Sequence, residues 1–276
     1  MLVSVHPRVY ERLTSTYPEL KESLVPELQV TRRAAWHAGG TPIEWLNQFT
    51  SGKVEWLHTD FIGMDHIPDV GETVVTNGRG TTEDVVAEWI LAAVLMACKR
   101  LGSYHTWTDK YGQKPILLRE ARIVIIGRGA IGKESRRLMF MSGARHIVLT
   151  GAMDLDAIDS ADVVVVTTSL RPDTVGLIDR HVLDRMRKGA WLISISHGKV
   201  IRDEDLAQSL LNNHLGGAIL DCFENEPLPP ENALWSCAVV SPHLAWYSPE
   251  STDRRVKLFL RKLREWETSG GTTFSP

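Results

Sequence analysis

The chain has 276 residues, 43% of them apolar, enough to bury the core of one or two domains. Lys and Arg total 31 against 34 for Asp and Glu, a formal net charge of −3, which leaves no electrostatic footprint for nucleic acid or an anionic membrane. The three cysteines, Cys98, Cys222 and Cys237, form no CxxC pair, which argues against a disulfide scaffold or a structural zinc site.

Residues 1–7 read as a strand rather than a signal peptide, and the longest apolar run, 89–98, is half the roughly 20 residues a bilayer requires. These features predict a soluble protein of the reducing cytoplasm. The first part of the chain is irregular. Short strands are predicted at 2–5, 28–30, 54–57 and 73–76, with helices at 8–13 and 42–49, as in a small α/β domain. Thr81 and Asp84 fit a capping box that opens a long helix over 84–101. Val86, Ile90, Ala93 and Ala97 share one face of it, so apolar that burial between domains or between subunits is expected. Nine tryptophans are many for this length, and no functional pattern accounts for them.

The second half is more regular. Apolar runs at 122–126, 146–150, 162–167, 190–195, 217–221 and 237–241 predict strands buried on both faces, as in a parallel sheet. Amphipathic segments such as 133–141 and 203–212 lie between them, which implies a doubly wound α/β domain. A last helix, 254–267, is expected to return to the first domain. The division is then 1–77 with 249–276 for the smaller domain and 78–248 for the larger.

Gly127-Arg128-Gly129-Ala130-Ile131-Gly132 matches GxGxxG between a predicted strand and a predicted helix, the context that gives the pattern value. Gly127 permits the tight turn, Gly129 lets a pyrophosphate approach the backbone, and Gly132 lets helix and strand pack closely. The helix N-terminus supplies N–H groups to the anion. The acidic residue that should end the second strand and hold the ribose 2′-hydroxyl of NAD is missing, since Thr150 is followed by Gly151. Residues 151–161 hold barely one turn of helix before the next strand. Arg128 and Arg145 are placed to receive a 2′-phosphate, which tilts the expectation from NAD toward NADP.

From residue 162 onward the chain resembles the D-isomer-specific 2-hydroxyacid dehydrogenases. The matching segments are 168–178, 183–196 with Met186, Lys188 and Gly189, the run Gly217-Ala-Ile-Leu-Asp-Cys-Phe-Glu-Asn-Glu-Pro-Leu-Pro229, and Ser241-Pro-His-Leu-Ala-Trp246. With Val86-Ala-Glu88 and the glycine turn, the resemblance spans nearly the whole chain. It implies a Rossmann domain, a smaller flavodoxin-like substrate domain made by both chain ends, and a homodimer seam along helix 84–101. It also implies hydride transfer between NAD(P) and a 2-oxo or 2-hydroxy acid. His243 corresponds to the family's proton-handling His and Glu226 to the Glu that raises its pKa. Asp221 corresponds to the acid near the nicotinamide, and Thr150 and Thr168 fall at the strand ends that line the cofactor.

Two places depart from that pattern. His197 stands where the family has an Arg, and a His lacks the permanently charged, bidentate fork that Arg offers a carboxylate. The loop expected to meet the substrate carboxylate reads Thr59-Asp60-Phe61-Ile62-Gly63, in which Phe61 and Ile62 add bulk and Asp60 adds like charge. Arg79 is the candidate replacement for the missing Arg. His58, Asp65 and His66 make only a weak case for a metal, so none is expected. Two functions are therefore in play. One is an NAD(P)-dependent oxidoreductase acting on a small carbonyl or hydroxy compound with altered carboxylate recognition. The other is a relative that has lost hydride transfer and acts as a lyase, isomerase, cyclase or non-catalytic binding protein.

Overall fold

A strand sends alternate side chains to opposite faces, so a sheet covered on both sides needs apolar residues at every position. Short runs of this kind build two parallel sheets in the computed structural model, which describes residues 1–27, 33–42, 44–47, 54–62, 67–101 and 114–269. The chain separates into one unit made of Met1–Thr82 with Ser248–Pro276 and a second made of Glu83–Tyr247.

The first unit holds β1 (Val3–Val5), α1 (Pro7–Thr16), β2 (Leu24–Pro26), β3 (Ala34–His37), β4 (Trp56–Thr59) and β5 (Val74–Thr76). The strands are parallel in the order β2-β1-β3-β4-β5, which is the flavodoxin-like arrangement. Trp36 and Trp56 point into a layer shared with α1 and the C-terminal helix Pro249–Thr268, whereas Ala35 and Leu57 point into a second layer with Trp45, Leu46 and Val70. The first layer is aromatic. Phe259 stacks on Trp36 at 4.0 Å between ring centroids, and Trp56 stacks on Phe259 at 6.0 Å and on Trp266 at 5.7 Å. The tryptophans that had no functional pattern thus largely serve a core. A capping box between Ser248 and Ser251 starts the C-terminal helix, which brings Phe259 and Trp266 to this layer.

Several expectations shift here. Residues 28–30 lie outside the described residues, while β2 and β3 flank them. The helix expected over 42–49 is a short 3-10 turn at 44–47. Strand β4 runs two residues further than expected, and α1 three.

The second unit opens with α2 (Glu83–Lys99) and continues through β6 (Arg122–Ile126), α3 (Ala130–Met141), β7 (His146–Thr150), β8 (Val163–Val166), α4 (Arg180–Arg185), β9 (Trp191–Ser194), α5 (Asp203–Leu211), β10 (Gly217–Leu220), α6 (Leu234–Cys237) and β11 (Val239–Val240). The sheet order is β11-β10-β9-β8-β6-β7, with every neighbouring pair parallel. Val124, Val164 and Leu192 face one core cluster, and Ile123, Val163 and Trp191 the other. Helix α2 begins at Glu83, which makes Thr82 rather than Thr81 the residue before it, and the Thr81 hydroxyl donates to the Gly78 carbonyl at 2.6 Å. Val86, Ile90, Ala93 and Ala97 pack on Ile123, Ile125 and Met139, so the apolar face of α2 finds its burial inside its own unit.

The connection from β7 to β8 is one 3-10 turn, Asp156–Ser160. A full doubly wound sheet of order 3-2-1-4-5-6 carries another strand outside the second. The twelve residues between β7 and β8 cannot supply it, so β7 is the edge of this sheet.

Candidate active site

Strand order reverses between β6 and β8, and open α/β sheets bind ligands at the carboxyl ends of the strands flanking such a point. The glycine turn lies there. Gly127 has φ +128°, and a Cβ on it would lie 2.5 Å from the Thr167 hydroxyl. A Cβ on Gly132 would lie 2.0 Å from the Gly127 carbonyl oxygen, so α3 can approach β6 only without a side chain at this position. Gly129 is the N-cap of α3 and has nothing within 4 Å of where its Cβ would be. That open approach to the first amides of a helix fits a dinucleotide pyrophosphate. Ala130 and Ile131 form the first turn of α3, and Ile131 is partly buried against the core cluster that α2 and the sheet share.

Around this turn the remaining candidates are committed in different ways. Arg128 is exposed and lies 3.8 Å from the carboxylate of Asp154. The Thr150 hydroxyl donates to the Asp154 carbonyl at 2.7 Å, which folds the loop back on the strand end. Arg145 donates from one guanidinium nitrogen, Nη1, to the Phe140 and Ala144 carbonyls at the end of α3. The Thr168 hydroxyl is buried and donates to the Ile126 carbonyl at 3.2 Å.

The second cluster forms at the ends of β9, β10 and β11. Asp221, 1% exposed, follows β10 and ties down the loop after β11. Its carboxylate accepts from the Ser241 hydroxyl at 2.5 Å and from the backbone N–H groups of Leu244 and Ala245 at 2.9 and 2.8 Å, while its carbonyl accepts from the His243 N–H at 2.9 Å. Asp221, the acid expected near the nicotinamide, thus has a positioning task in this loop, with its second oxygen engaged only by the Ala245 N–H. His243 has φ +55°, a left-handed conformation that a non-glycine residue holds only when its surroundings impose it. Its Nδ1 lies 2.8 Å from Glu226 Oε2, and the other Glu226 oxygen accepts from the Phe223 N–H at 3.0 Å. Contacts with the Cys222 sulfur and the Glu226 carboxylate hold His243 well above its ordinary 6.5, against the opposing effect of its own burial. Burial acts to raise Glu226, but hydrogen bonds from His243 and Phe223 and the nearby His197 outweigh it and hold the carboxyl below 4.5.

His197 is exposed and caps the 3-10 turn Gly198–Val200, its Nδ1 accepting from the Lys199 N–H at 3.4 Å. A Cβ on Gly198 would lie 1.8 Å from the Phe223 carbonyl, so glycine lets the His197 loop press against the Glu226 loop. Sequence reasoning missed Asp203, buried beside these loops and accepting from the Glu224 N–H at 3.3 Å. Burial pushes its carboxyl up to about 6, with Glu224 and Glu226 adding to the effect. The only sequence signal was an acidic first turn of α5, which is common.

The loop of the first unit needs a larger correction. Asp60 does not present its charge to a ligand. Its carboxylate accepts from the Trp36 indole at 2.9 Å and the Gly39 N–H at 2.8 Å. Burial raises its pKa, opposed by the Gly39 N–H and by the cations Arg255 and Arg12. Phe61 stays partly exposed with its ring 5.2 Å from that of His37, and the Ile62 carbonyl accepts from the Asn77 amide at 3.3 Å. Arg79 lies on the exposed surface of this unit, its backbone N–H bonded to the Asn77 side chain. Gly63, Asp65 and His66 lie outside the described residues. His58 is buried in the aromatic layer with Nδ1 2.8 Å from the Thr76 hydroxyl, which removes it from any metal reading of that loop.

The family model of the D-isomer specific 2-hydroxyacid dehydrogenase NAD binding domain matches residues 91–245. The chain belongs to this family, and it is an NAD(P)-dependent oxidoreductase of the hydroxyacid dehydrogenase class. It is 29% identical over 232 residues to the glyoxylate reductase/hydroxypyruvate reductase of Mus musculus, covering 71% of this chain and 69% of the relative. It is 28% identical over 238 residues to a glyoxylate reductase of Thermofilum pendens, covering 75% and 70%. Its fold matches the NAD-complexed D-isomer specific 2-hydroxyacid dehydrogenase of Lactobacillus delbrueckii ssp. bulgaricus with a TM-score of 0.77 at 18% identity, over 100% of this chain and 99% of that one.

Proposed function

We propose that this oxidoreductase uses His243 as its proton donor and acceptor, Glu226 as the residue that orients and charges it, and Gly127–Gly132 as its dinucleotide cradle. The observation that carries the reading is the 2.8 Å contact between His243 and Glu226 in a loop that Asp221 fastens. A bound nicotinamide supplies or accepts the hydride. Glu226 engages Nδ1, which leaves Nε2 of His243 to hold the proton that joins or leaves the substrate oxygen. Unit 83–247 is then the dinucleotide-binding domain and unit 1–82 with 248–276 the substrate domain. Among the described residues no helix is long and apolar enough to cross a membrane, and the setting proposed from the sequence is the cytoplasm. The exposed Leu95 and Leu101 of the α2 region support a homodimer, to be read by size-exclusion chromatography with light scattering.

The second part of the reading concerns the substrate. His197, in the place of a permanently charged Arg, offers a carboxylate one donor rather than a fork. Phe61 and Ile62 add apolar bulk, whereas Asp60 is turned inward and contributes no repulsion. Small 2-oxo acids are therefore slower substrates than neutral or bulkier carbonyl compounds. A charge-assisted hydrogen bond is worth about 1.5–3 kcal/mol, or roughly one to two powers of ten in kcat/KM. The test is a kinetic panel of pyruvate, glyoxylate, their amides and esters and bulkier ketones, run on the native protein and on His197→Arg. Efficient native turnover of glyoxylate, unimproved by the Arg, overturns this part.

NADP is favoured slightly over NAD. No carboxylate stands directly after Thr150, and the nearest, Asp154, is paired with Arg128 in a contact exposed on both sides that opens at little cost. Direct titration with both cofactors decides this, and tighter binding of NAD reverses it.

A further inference from the structure

The residues that hold His243 in place include one that neither acid–base chemistry nor dinucleotide binding needs. Cys222 follows Asp221 directly, is 7% exposed, and its thiol donates to the Ile195 carbonyl at 3.7 Å. The donor atoms of Cys222, Glu226 and His243 all lie within 4.8 Å of one another. The spacing 222, 226, 243 matches no metal signature, so only the tertiary packing of two loops discloses the cluster.

We propose that Cys222, Glu226 and His243 form a binding site for a borderline-soft divalent cation, zinc above all. One thiolate, one imidazole and one carboxylate make a donor set that selects zinc over magnesium or calcium, which demand oxygen ligands throughout. Donors of a four-coordinate zinc are separated by roughly 3.3–3.6 Å, as its bond lengths require. The cluster reaches that spacing by closing about 1 Å. Two of its members have room to move toward an ion, since the side chains of His243 and Glu226 are 47% and 36% exposed. The same exposure opens a path from solvent and leaves a fourth position for water, the arrangement of an exchangeable rather than a structural site. Binding releases two protons to solvent, one from the Cys222 thiol, which becomes thiolate, and one from the ring nitrogen of charged His243 that takes the ion, so affinity rises with pH.

Occupancy takes up the Glu226 carboxylate and a ring nitrogen of His243. On the role proposed above for these two residues, zinc is therefore a reversible inhibitor. The binding itself is read from donor geometry alone and holds whether or not His243 transfers a proton.

The test uses cobalt as a spectroscopic substitute and zinc for affinity. Titration of the purified full chain with cobalt is expected to give a thiolate-to-cobalt charge-transfer band that saturates at one equivalent. That band disappears in Cys222→Ser and persists in Cys237→Ser. By calorimetry, Cys222→Ser weakens zinc by at least about 100-fold, since even outer partners of metal ligands are worth about 10–100-fold. His243→Asn, at an exposed left-handed position that Asn tolerates, keeps the fold and also weakens zinc. Absence of a thiolate band in the native protein, or a band that survives Cys222→Ser, overturns the proposal. Zinc affinity unchanged in His243→Asn overturns it as well.

Discussion

The two units share a parallel α/β plan but fill it with different chemistry. In unit 83–247 the strands are aliphatic and nearly uniform, and the polar groups that matter collect at strand ends, as with Asp221 after β10 and His243 after β11. In unit 1–82 with 248–276 the interior is aromatic and polar groups penetrate it. His58 lies among Trp36, Trp56 and Phe259, and the Asp60 carboxylate holds the Trp36 indole. An aliphatic sheet can place a reactive loop without involving its core in titration. An aromatic core with buried histidine cannot, so in the first unit the core itself is expected to respond to pH, whereas in the second the groups with shifted pKa values, Asp203, Glu226 and His243, lie at the loops.

The largest effect should come from the aromatic layer. Trp36→Ala removes a fully buried ring stacked on Phe259 and leaves Asp60 without its indole donor. Large aromatic truncations in cores cost about 3–5 kcal/mol. Hydrogen exchange followed by mass spectrometry should show the loss of protection in β3, β4 and the C-terminal helix, with β6, β8 and β9 unchanged. Equal loss in both units would erase the distinction.

Asp221→Ala comes next and strikes the second unit at its loop rather than its core. Removing a buried carboxylate that accepts three hydrogen bonds should cost about 3 kcal/mol and release residues 241–245. The expected kinetic signature is a fall in kcat with cofactor affinity kept, because the glycine turn is separate from this loop. A fall in cofactor affinity alone would point instead to the direct contact near the nicotinamide that the sequence leads one to expect of Asp221.

A smaller effect tests the pH contrast. Burial, with Lys262 adding to it, pushes His58 down to about 3 from 6.5. The folded state therefore binds fewer protons than the unfolded state between those values. The contribution of His58 is fully present above pH 6.5 and is lost as pH falls toward 3, at about 1.4 kcal/mol per pH unit. Buried Asp60, raised from 3.8, works in the opposite sense. Denaturant melts of the native protein and of His58→Gln between pH 7 and pH 5 isolate the term, with the variant expected to show the flatter profile. Parallel profiles would show that His58 titrates normally in the folded chain.

The same contrast explains what was legible in the sequence. Runs such as Arg122-Ile-Val-Ile-Ile126 locate the second sheet to within a residue or two, because burial on both faces leaves no position for a polar side chain. In the first unit, Ala34-Ala35-Trp36-His37 ends on a buried histidine, and β4 runs through His58 to Thr59, so periodicity is broken where tertiary contacts satisfy polar groups. Asp60 shows the same limit. Its charge is visible in the sequence, but its direction is decided by Trp36 and Gly39, residues more than 20 positions away. His243 and Glu226 were found because the motifs around them are distinctive. Cys222 and Asp203 were not, since what gives them meaning is burial beside a loop.

The central claim is that His243, held by Glu226 and by the loop that Asp221 fastens, carries the proton in a nicotinamide-dependent reaction. Its most direct test is the single-turnover rate of NAD(P)H oxidation by the best carbonyl substrate of the panel, compared between the native chain and His243→Ala with zinc chelated. The account predicts a loss of about 10²–10⁴ in rate, the worth of a general acid, with cofactor binding retained. Full activity in His243→Ala would contradict it.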